Sequence, residues 1–406
     1  MRRSRTWGKD DIVKKLFRKV KNKLSRALLL LACIPLGIGF VVLALVSRFA
    51  KRPIDVGLGP EPMINNIYHK KALRHAGYSV ETFVSHVYFI TDDFDVKCIR
   101  KNLVTASMRL MVMVLFRYRC IYIYFNGGPL AWSPLKRLEP YLYKLAGVKV
   151  LVMPYGGDVN DMTRCPNYAF RHALVSDYPL FQKFRRPHIV RQIERWTEHA
   201  DIVLSGCDWV DYTYHWDVLT LAHFSIDTTG TRAVFDAGRH DGPLRILHAP
   251  NHQMIKGTKY FEKAVAELRE EGVDVELVVV SRVPNHEVRR LIATCDVIAD
   301  QLVVGWYAMF ALEAMAAGRP VLCYLRQDLI DLYTFAELVE PDEIPIIQCN
   351  TRNVKDVIRD LARDREKLAA IGERSRAYAV KHHSTEAIGA LFDRLNRKMG
   401  IAPRGR

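Results

Sequence analysis

Three charged residues stand among small or apolar neighbours, where a folded chain has little use for a charge without a partner. In "MFALEAMAAGRPVLCY" Glu313 interrupts a run of Ala, Leu and Met. A carboxylate buried there loses its hydration and must be satisfied, and a pair of ligand hydroxyls would do so. The competing explanation is an acid favoured by the dipole in the first half of a helix. In "HAPNHQMIKGTKYF" Lys256, Gly257 and Thr258 follow Asn251 and His252 at the passage from a strand's loop into a helix. A cation and free backbone N–H groups then meet at one spot, which is an anion site, suited to a diphosphate. In "MPYGGDV" Asp158 follows Gly156 and Gly157 after an apolar run. It either orients a hydroxyl or caps the next helix.

These residues need a scaffold that brings loop ends together, and the chain supplies a strand–helix alternation. Around Glu313 the order is loop, helix and strand. Gly305 permits a tight approach, Tyr307–Ala317 reads as helix, Gly318 suits the left-handed residue after its end, and Val321–Tyr324 reads as strand after Pro320. The backbone at Gly305, Trp306 and Tyr307 would then sit at a helix N-terminus able to hold phosphate oxygens. "LRILHAP", "VDVELVVV" and "DVIADQ" are strands, the last ending on Asp300 and Gln301, with helices at Tyr260–Glu271 and Asn285–Thr294 between them. This predicts a domain over 243–380.

Before it, "RPIDVGLG", "YSVETFV", Cys120–Phe125, Lys149–Met153 and "ADIVLSG" read as strands, with helices at Met63–His75 and Arg191–His199, predicting a domain over 53–225. Cys120–Phe125 ends on Asn126, Gly127 and Gly128, and with Gly156, Gly157 and Asp158 these form the expected acceptor side. The aperiodic "DTTGTRAVFDAGRHDGP" separates the domains. A helix over 385–400, with Ile388, Leu391, Phe392 and Leu395 in one stripe, is core packing. The fold class is therefore α/β: two tandem Rossmann-like domains facing one cleft, where the C-terminal ends of open parallel sheets bind ligands.

With these motifs the second half of the chain resembles the donor-binding half of the retaining GT-B glycosyltransferases of family four. "MIKGT" and "GWYAMFALEAMAAGRPVLCY" carry the resemblance, and "YGGDV" is similar to a cleft-facing motif of such enzymes. The resemblance implies that Lys256 binds the donor diphosphate and that Glu313 accepts hydrogen bonds from the nucleotide ribose. It implies transfer of a sugar from a nucleotide-sugar to a glycan or lipid-linked acceptor with retained configuration, without a metal, and with no cofactor beyond the nucleotide-sugar as co-substrate. Lys256, Glu313 and Asp158 would carry the chemistry. The sequence also departs from the pattern. A second Glu expected eight positions before Glu313 is Gly305, and an Arg expected five positions before Lys256 is Asn251. Either other groups, such as Asp300, Gln301, Trp306 or backbone amides, hold the sugar, or the chain is a membrane-tethered, non-catalytic nucleotide-binding scaffold.

The remaining signals concern location and exclusion. Residues 1–52 hold 14 Lys or Arg against 2 acids, so most of the net charge of +16 lies at one end. The body carries no nucleic-acid motif, and the basic excess reads as a tail facing anionic lipid. Over 1–26 the apolar positions Ile12, Val13, Leu16, Phe17, Val20 and Leu24 recur at helical spacing, as in an interfacial basic helix. Residues 27–46 are uncharged and long enough to span a bilayer. Pro35, Gly37 and Gly39 leave a re-entrant hairpin open, and a cleaved signal peptide is a further alternative. Because nucleotide-sugars are cytosolic, the body is expected on the cytoplasmic face. Eight scattered cysteines without a CxxC pair agree with a reducing compartment. The DxD at Asp93 and Asp95 lies outside the expected fold's chemistry, and no GxSxG, Walker loop or HExxH appears, which removes the anchors of hydrolase and ATPase readings.

Overall fold

The computed structural model describes residues 33–87, 91–99 and 103–404. The expected basic tail over 1–26 and the first six residues of the expected membrane segment lie outside these. The described chain opens with helix α1 over 33–47. There follow β1 (Ile54–Leu58), α2 (Asn65–His75), β2 (Val80–Val84), β3 (Val96–Lys97), α3 (Leu103–Arg117), β4 (Tyr118–Tyr124), α4 (Glu139–Ala146), β5 (Lys149–Met153), α5 (Tyr168–Asp177), α6 (Phe181–His199), β6 (Ile202–Gly206) and β7 (Val218–Thr220). The seven strands form one parallel sheet in the order β3-β2-β1-β4-β5-β6-β7. β1, β4, β5 and β6 are buried almost throughout, as strands covered by helices on both faces must be.

The second half begins with β8 (Leu244–His248), α7 (Gln253–Lys256), α8 (Thr258–Glu270), β9 (Val275–Val279), α9 (Asn285–Ile292) and β10 (Val297–Gln301). It continues through α10 (Met309–Ala316), β11 (Val321–Cys323), α11 (Gln327–Phe335), β12 (Ile347–Gln348), α12 (Val354–Arg363), α13 (Lys367–His383) and α14 (Thr385–Lys398). Its five-stranded parallel sheet runs β12-β11-β10-β8-β9. The order reverses between β8 and β10, so the loops that leave these two strands splay apart and open a crevice at their ends. The Lys256 loop and the Gly305 loop are those two loops.

Three expectations change. The helix carrying Glu313 begins at Met309 rather than Tyr307, because the carboxylate of Asp300 binds the amide of Ala308 (3.1 Å), which stays extended. α14 does not stand apart: it returns to the first domain, where Tyr78 donates to Asp393 (2.8 Å) and Tyr122 to Asn396 (2.9 Å), and Phe392 and Leu395 join the core of Leu73 and Val56. The membrane segment changes character too. Among the described residues no helix is long and apolar enough to cross a membrane. Phe40 and Ala44 of α1 are buried in the core of the first domain, so that side of the helix has protein and not lipid for a neighbour.

Candidate functional site

A cavity of about 490 Å³ lies between the two sheets' C-terminal ends. The first domain contributes Gly156, Gly157 and Asn160 after β5 and Cys207, Asp208 and Trp209 after β6. The second contributes Asn251, His252 and Lys256 after β8, and Gln301, Val304, Trp306, Tyr307 and Ala308 after β10. A second cavity of about 310 Å³ contains Glu313, Asn285, Tyr68 and the 282–284 turn, and Asn251 lines both. The two spaces therefore lie on either side of Asn251.

Lys256 ends α7, and its ammonium pairs with Asp300 at 2.7 Å, a carboxylate with no solvent exposure. An ammonium has three donors, so this bond pins the side chain and leaves others for an anion in the cavity. The neighbouring residues take different parts from those expected. The amide of Gly257 is spent on the carbonyl of Gln253 (2.9 Å), and its φ of +79° makes it the joint between α7 and α8. Thr258 is buried and its hydroxyl meets Nε2 of His248 (2.9 Å). Neither lines the cavity. His252 does line it, with Nδ1 held by the Tyr178 hydroxyl at 2.7 Å, and burial lowers its pKa.

The loop from β10 to α10 is held from beneath by its own strand end. Gln301 accepts from the amide of Val304 (2.8 Å), while Asp300 ties Ala308 and Lys256. Trp306 is buried and donates to the carbonyl of Leu221 in the first domain (3.0 Å). Tyr307 points into the interior, its hydroxyl within 2.8 Å of Tyr378 and 2.9 Å of His383. Among the described residues the amides of Gly305, Trp306 and Tyr307 donate to no protein group, and Trp306 and Tyr307 border the cavity. Gly305 has φ +99°, and a Cβ on it would lie 2.7 Å from Arg326. Arg326 spans the domains to Asp211 (3.1 Å from Nη2 to Oδ1) and also binds Asp328. Arg326 thus occupies the space that a side chain at position 305 would need.

Glu313 is 6% exposed. Its Oε1 accepts from Asn285 at 2.8 Å and lies 3.4 Å from the Tyr68 hydroxyl, a first-domain group. Burial raises its pKa, and these two donors and Arg289 oppose the rise. The carboxylate is thus partly satisfied within the protein and borders both the 310 Å³ cavity and a shallower one beside Arg289.

On the first-domain side the expected residues divide. Gly156 and Gly157 line the cleft. Asp158 does not: its carboxylate accepts from the amides of Phe125 (2.9 Å), Tyr155 (2.9 Å) and Gly156 (3.0 Å), clamping the loop after β5 to the end of β4. Burial pushes its pKa up to about 7 against the pull of these donors. Asn126, Gly127 and Gly128 also turn inward. Asn126 donates to the Tyr155 hydroxyl (2.8 Å), and Gly128 leaves no room for a Cβ beside Tyr143 and Glu139. Asp95 of the DxD is spent on Lys70 and Thr82.

Asp208 went unremarked in the sequence. It is 6% exposed, faces the cleft from just after β6, and burial together with the nearby Asp211 pushes its pKa up to about 7 while Arg326 and Lys256 draw it down. Its position at the C-terminal end of a parallel strand was the available signal.

No protein-family model matches the chain, and no curated protein matches it in sequence. Solved structures do match it in shape. HepE of Anabaena in complex with UDP-glucose aligns with a TM-score of 0.55 at 10% identity, over 85% of this chain and 99% of its own. Sucrose-phosphate synthase from Thermosynechococcus elongatus aligns with a TM-score of 0.56 at 13% identity, over 86% and 99%. At such identities the likeness is one of fold, and the fold is GT-B.

Proposed function

We propose that the chain is a glycosyltransferase that moves a sugar from a nucleoside-diphosphate sugar to a glycan or lipid-linked acceptor, with retention of configuration and without a metal. The observation that carries this reading is the pair of cavities that share Asn251 in their linings, one bordered by Glu313 and the other by Lys256. A nucleoside fits the first, with its ribose hydroxyls on Glu313, and the diphosphate and sugar then enter the second. HepE, of the same fold, was solved with UDP-glucose and with UDP, which supports a donor of that class.

In this reading Lys256 and the amides of Gly305, Trp306 and Tyr307 neutralise charge that grows on the departing diphosphate, a preorganised arrangement that costs no rearrangement during reaction. The acceptor hydroxyl attacks from the side the diphosphate leaves, and a diphosphate oxygen takes its proton. Asp208 supplies the carboxylate that position 305 lacks, accepting from a hydroxyl of the sugar or acceptor. Asp158 positions the loop that carries Gly156 and Gly157. The body works on the cytoplasmic side of a membrane, where such donors are found, with the anionic surface as a partner.

The test is thermal stabilisation of the protein by a panel of nucleotide-sugars, with Glu313→Ala beside it. One nucleotide should stabilise the wild type and lose at least about tenfold in affinity with the variant, the scale of a lost charge-assisted hydrogen bond. No stabilisation by any donor would sink the reading, and stabilisation without any sugar transfer or slow hydrolysis of the donor would favour the nucleotide-binding scaffold. The anomer formed in the first turnover decides retention, and a chelator should leave the rate unchanged.

A further inference from the structure

We propose that the first domain rests on an anionic phospholipid bilayer through the outer side of α1 and a neighbouring cluster of cations, with α1 lying along the membrane surface. The inference deepens the membrane partnership proposed above and is independent of sugar transfer. Ile34, Ile38, Val42, Leu45 and Val46 of α1 and Phe49 in the turn after it fall on one side at helical spacing and are 45–89% exposed, while Phe40 and Ala44 on the opposite side are buried. Six large apolar side chains in one stripe are more than a water-facing helix ordinarily shows, and such a stripe marks an interaction surface. Between α1 and the turn at Pro134–Arg137 runs an open, apolar groove of about 440 Å³ bounded by Val41, Leu135 and Leu138.

The charge beside this stripe identifies the occupant. Lys136 and Arg137 lie between Leu135 and Leu138, the two residues that approach Gly37 of α1. Arg191 and Arg195 of α6 act on the same spot. The ammonium of Lys136 lies 3.4 Å from Nδ1 of His188 on α6, and burial lowers the pKa of Lys136 and of Arg195, with Arg195, Arg191 and Arg137 adding to the fall at Lys136 and Arg137 and Arg191 to that at Arg195. The acid that acts on Arg195 is the buried Glu139. Such a cluster gains from anions at its surface, and each Lys or Arg near an anionic leaflet adds to the attraction.

A bilayer offers hydrocarbon and phosphate side by side. A second copy of the chain meeting the stripe face to face would set like cation clusters together. An upright α1 fails for a related reason, since the contact at Gly37 would carry Lys136 and Arg137 into the hydrocarbon, where a cation loses its hydration. Lying in the surface plane, α1 buries its outer side and leaves these cations at the headgroups. The 13 other Lys or Arg of residues 1–52, Arg52 being buried, add attraction of the same sign.

Flotation of the full chain with vesicles of phosphatidylcholine, with or without phosphatidylglycerol, tests this. The wild type should float with the anionic vesicles and lose binding as salt rises. Ile38→Glu/Val42→Glu and Arg137→Glu/Arg191→Glu, all at surface positions, should each lower partitioning at least about tenfold. Both should keep the wild-type melting temperature and the wild-type response to nucleotide-sugars. If either folded double variant floats like the wild type, the surface is overturned while membrane association through other segments stands. If the wild type ignores anionic vesicles, membrane association falls as well. If Ile38→Glu/Val42→Glu converts a dimer to a monomer without vesicles, the stripe belongs to a second copy and the proposal fails. Donor stabilisation, measured on the same samples, reports separately on the glycosyltransferase reading.

Discussion

Replacing Gly305 by Glu would restore the carboxylate expected from the sequence pattern, and the structure gives the opposite of a gain. Gly305 holds φ +99°, a conformation that costs an L-residue about 1–2 kcal/mol. The new Cβ would lie 2.7 Å from both Cγ and Cδ of Arg326, so that side chain must move. Arg326 is 6% exposed and its guanidinium joins Asp211 of the first domain to Asp328 of the second. Dislodging it leaves Asp211 buried without its cation, a loss of about 3–5 kcal/mol. The sum, about 4–7 kcal/mol, is a large share of the stability of a typical domain. Differential scanning fluorimetry should show the melting temperature of Gly305→Glu lower by about 10 °C or more. Gly305→Ala should show most of the same loss, because strain and crowding begin at Cβ. Transfer by Gly305→Glu should not rise. A Gly305→Glu protein that melts within about 2 °C of wild type, or transfers faster, would refute the account of the loop and of Arg326's place in it.

The other expectations follow from the same geometry. Asp208, with a pKa raised to about 7, should make transfer rise with pH through about 7 and level above it as the carboxylate forms, and Asp208→Asn should flatten that limb. An unchanged limb in the variant would remove Asp208 from the chemistry. Lys256→Met should weaken donor binding and slow transfer by about 100-fold or more, the scale of one lost charge stabiliser, and an unchanged rate would exclude Lys256 from the diphosphate. Glu139 is fully buried, accepts from Leu130 and Tyr143, and has its pKa raised from 4.5 to about 7. The raised value favours the folded state below about pH 4.5, and this contribution fades as pH rises to about 7, amounting to about 3 kcal/mol. Urea midpoints should therefore fall from pH 5 to pH 8 more steeply in the wild type than in Glu139→Gln, and equal slopes would show that Glu139 is not the group involved.

Much of the architecture was legible because it is written locally. Apolar runs marked β1, β4, β5, β6, β8 and β10, and their alternation with helices dictated parallel sheets. Other elements gave no local signal. α3, "LVTASMRLMVMVLFR", has Val, Thr and Met in place of a clean amphipathic stripe, since much of it lies inside the protein. β3, β7 and β12 are two or three residues long and exist through their neighbours' hydrogen bonds. The start of α10 moved by two residues because the deciding group, Asp300, lies eight positions away.

The sequence by itself determined which loops carry the candidate chemistry: the run before α8 with Lys256, and the helix with Glu313, are set by spacing and by turn residues. The tertiary structure decided what each side chain faces. It turned Asp158 and Asn126 inward, brought Asp208 and Tyr68 from the other domain to the cavities, and placed Arg326 where a carboxylate would have stood at position 305. Secondary structure follows from forces between residues a few positions apart. A charge's partner is chosen by burial and by whatever a distant part of the chain brings within about 3 Å, and only the folded molecule supplies that neighbour.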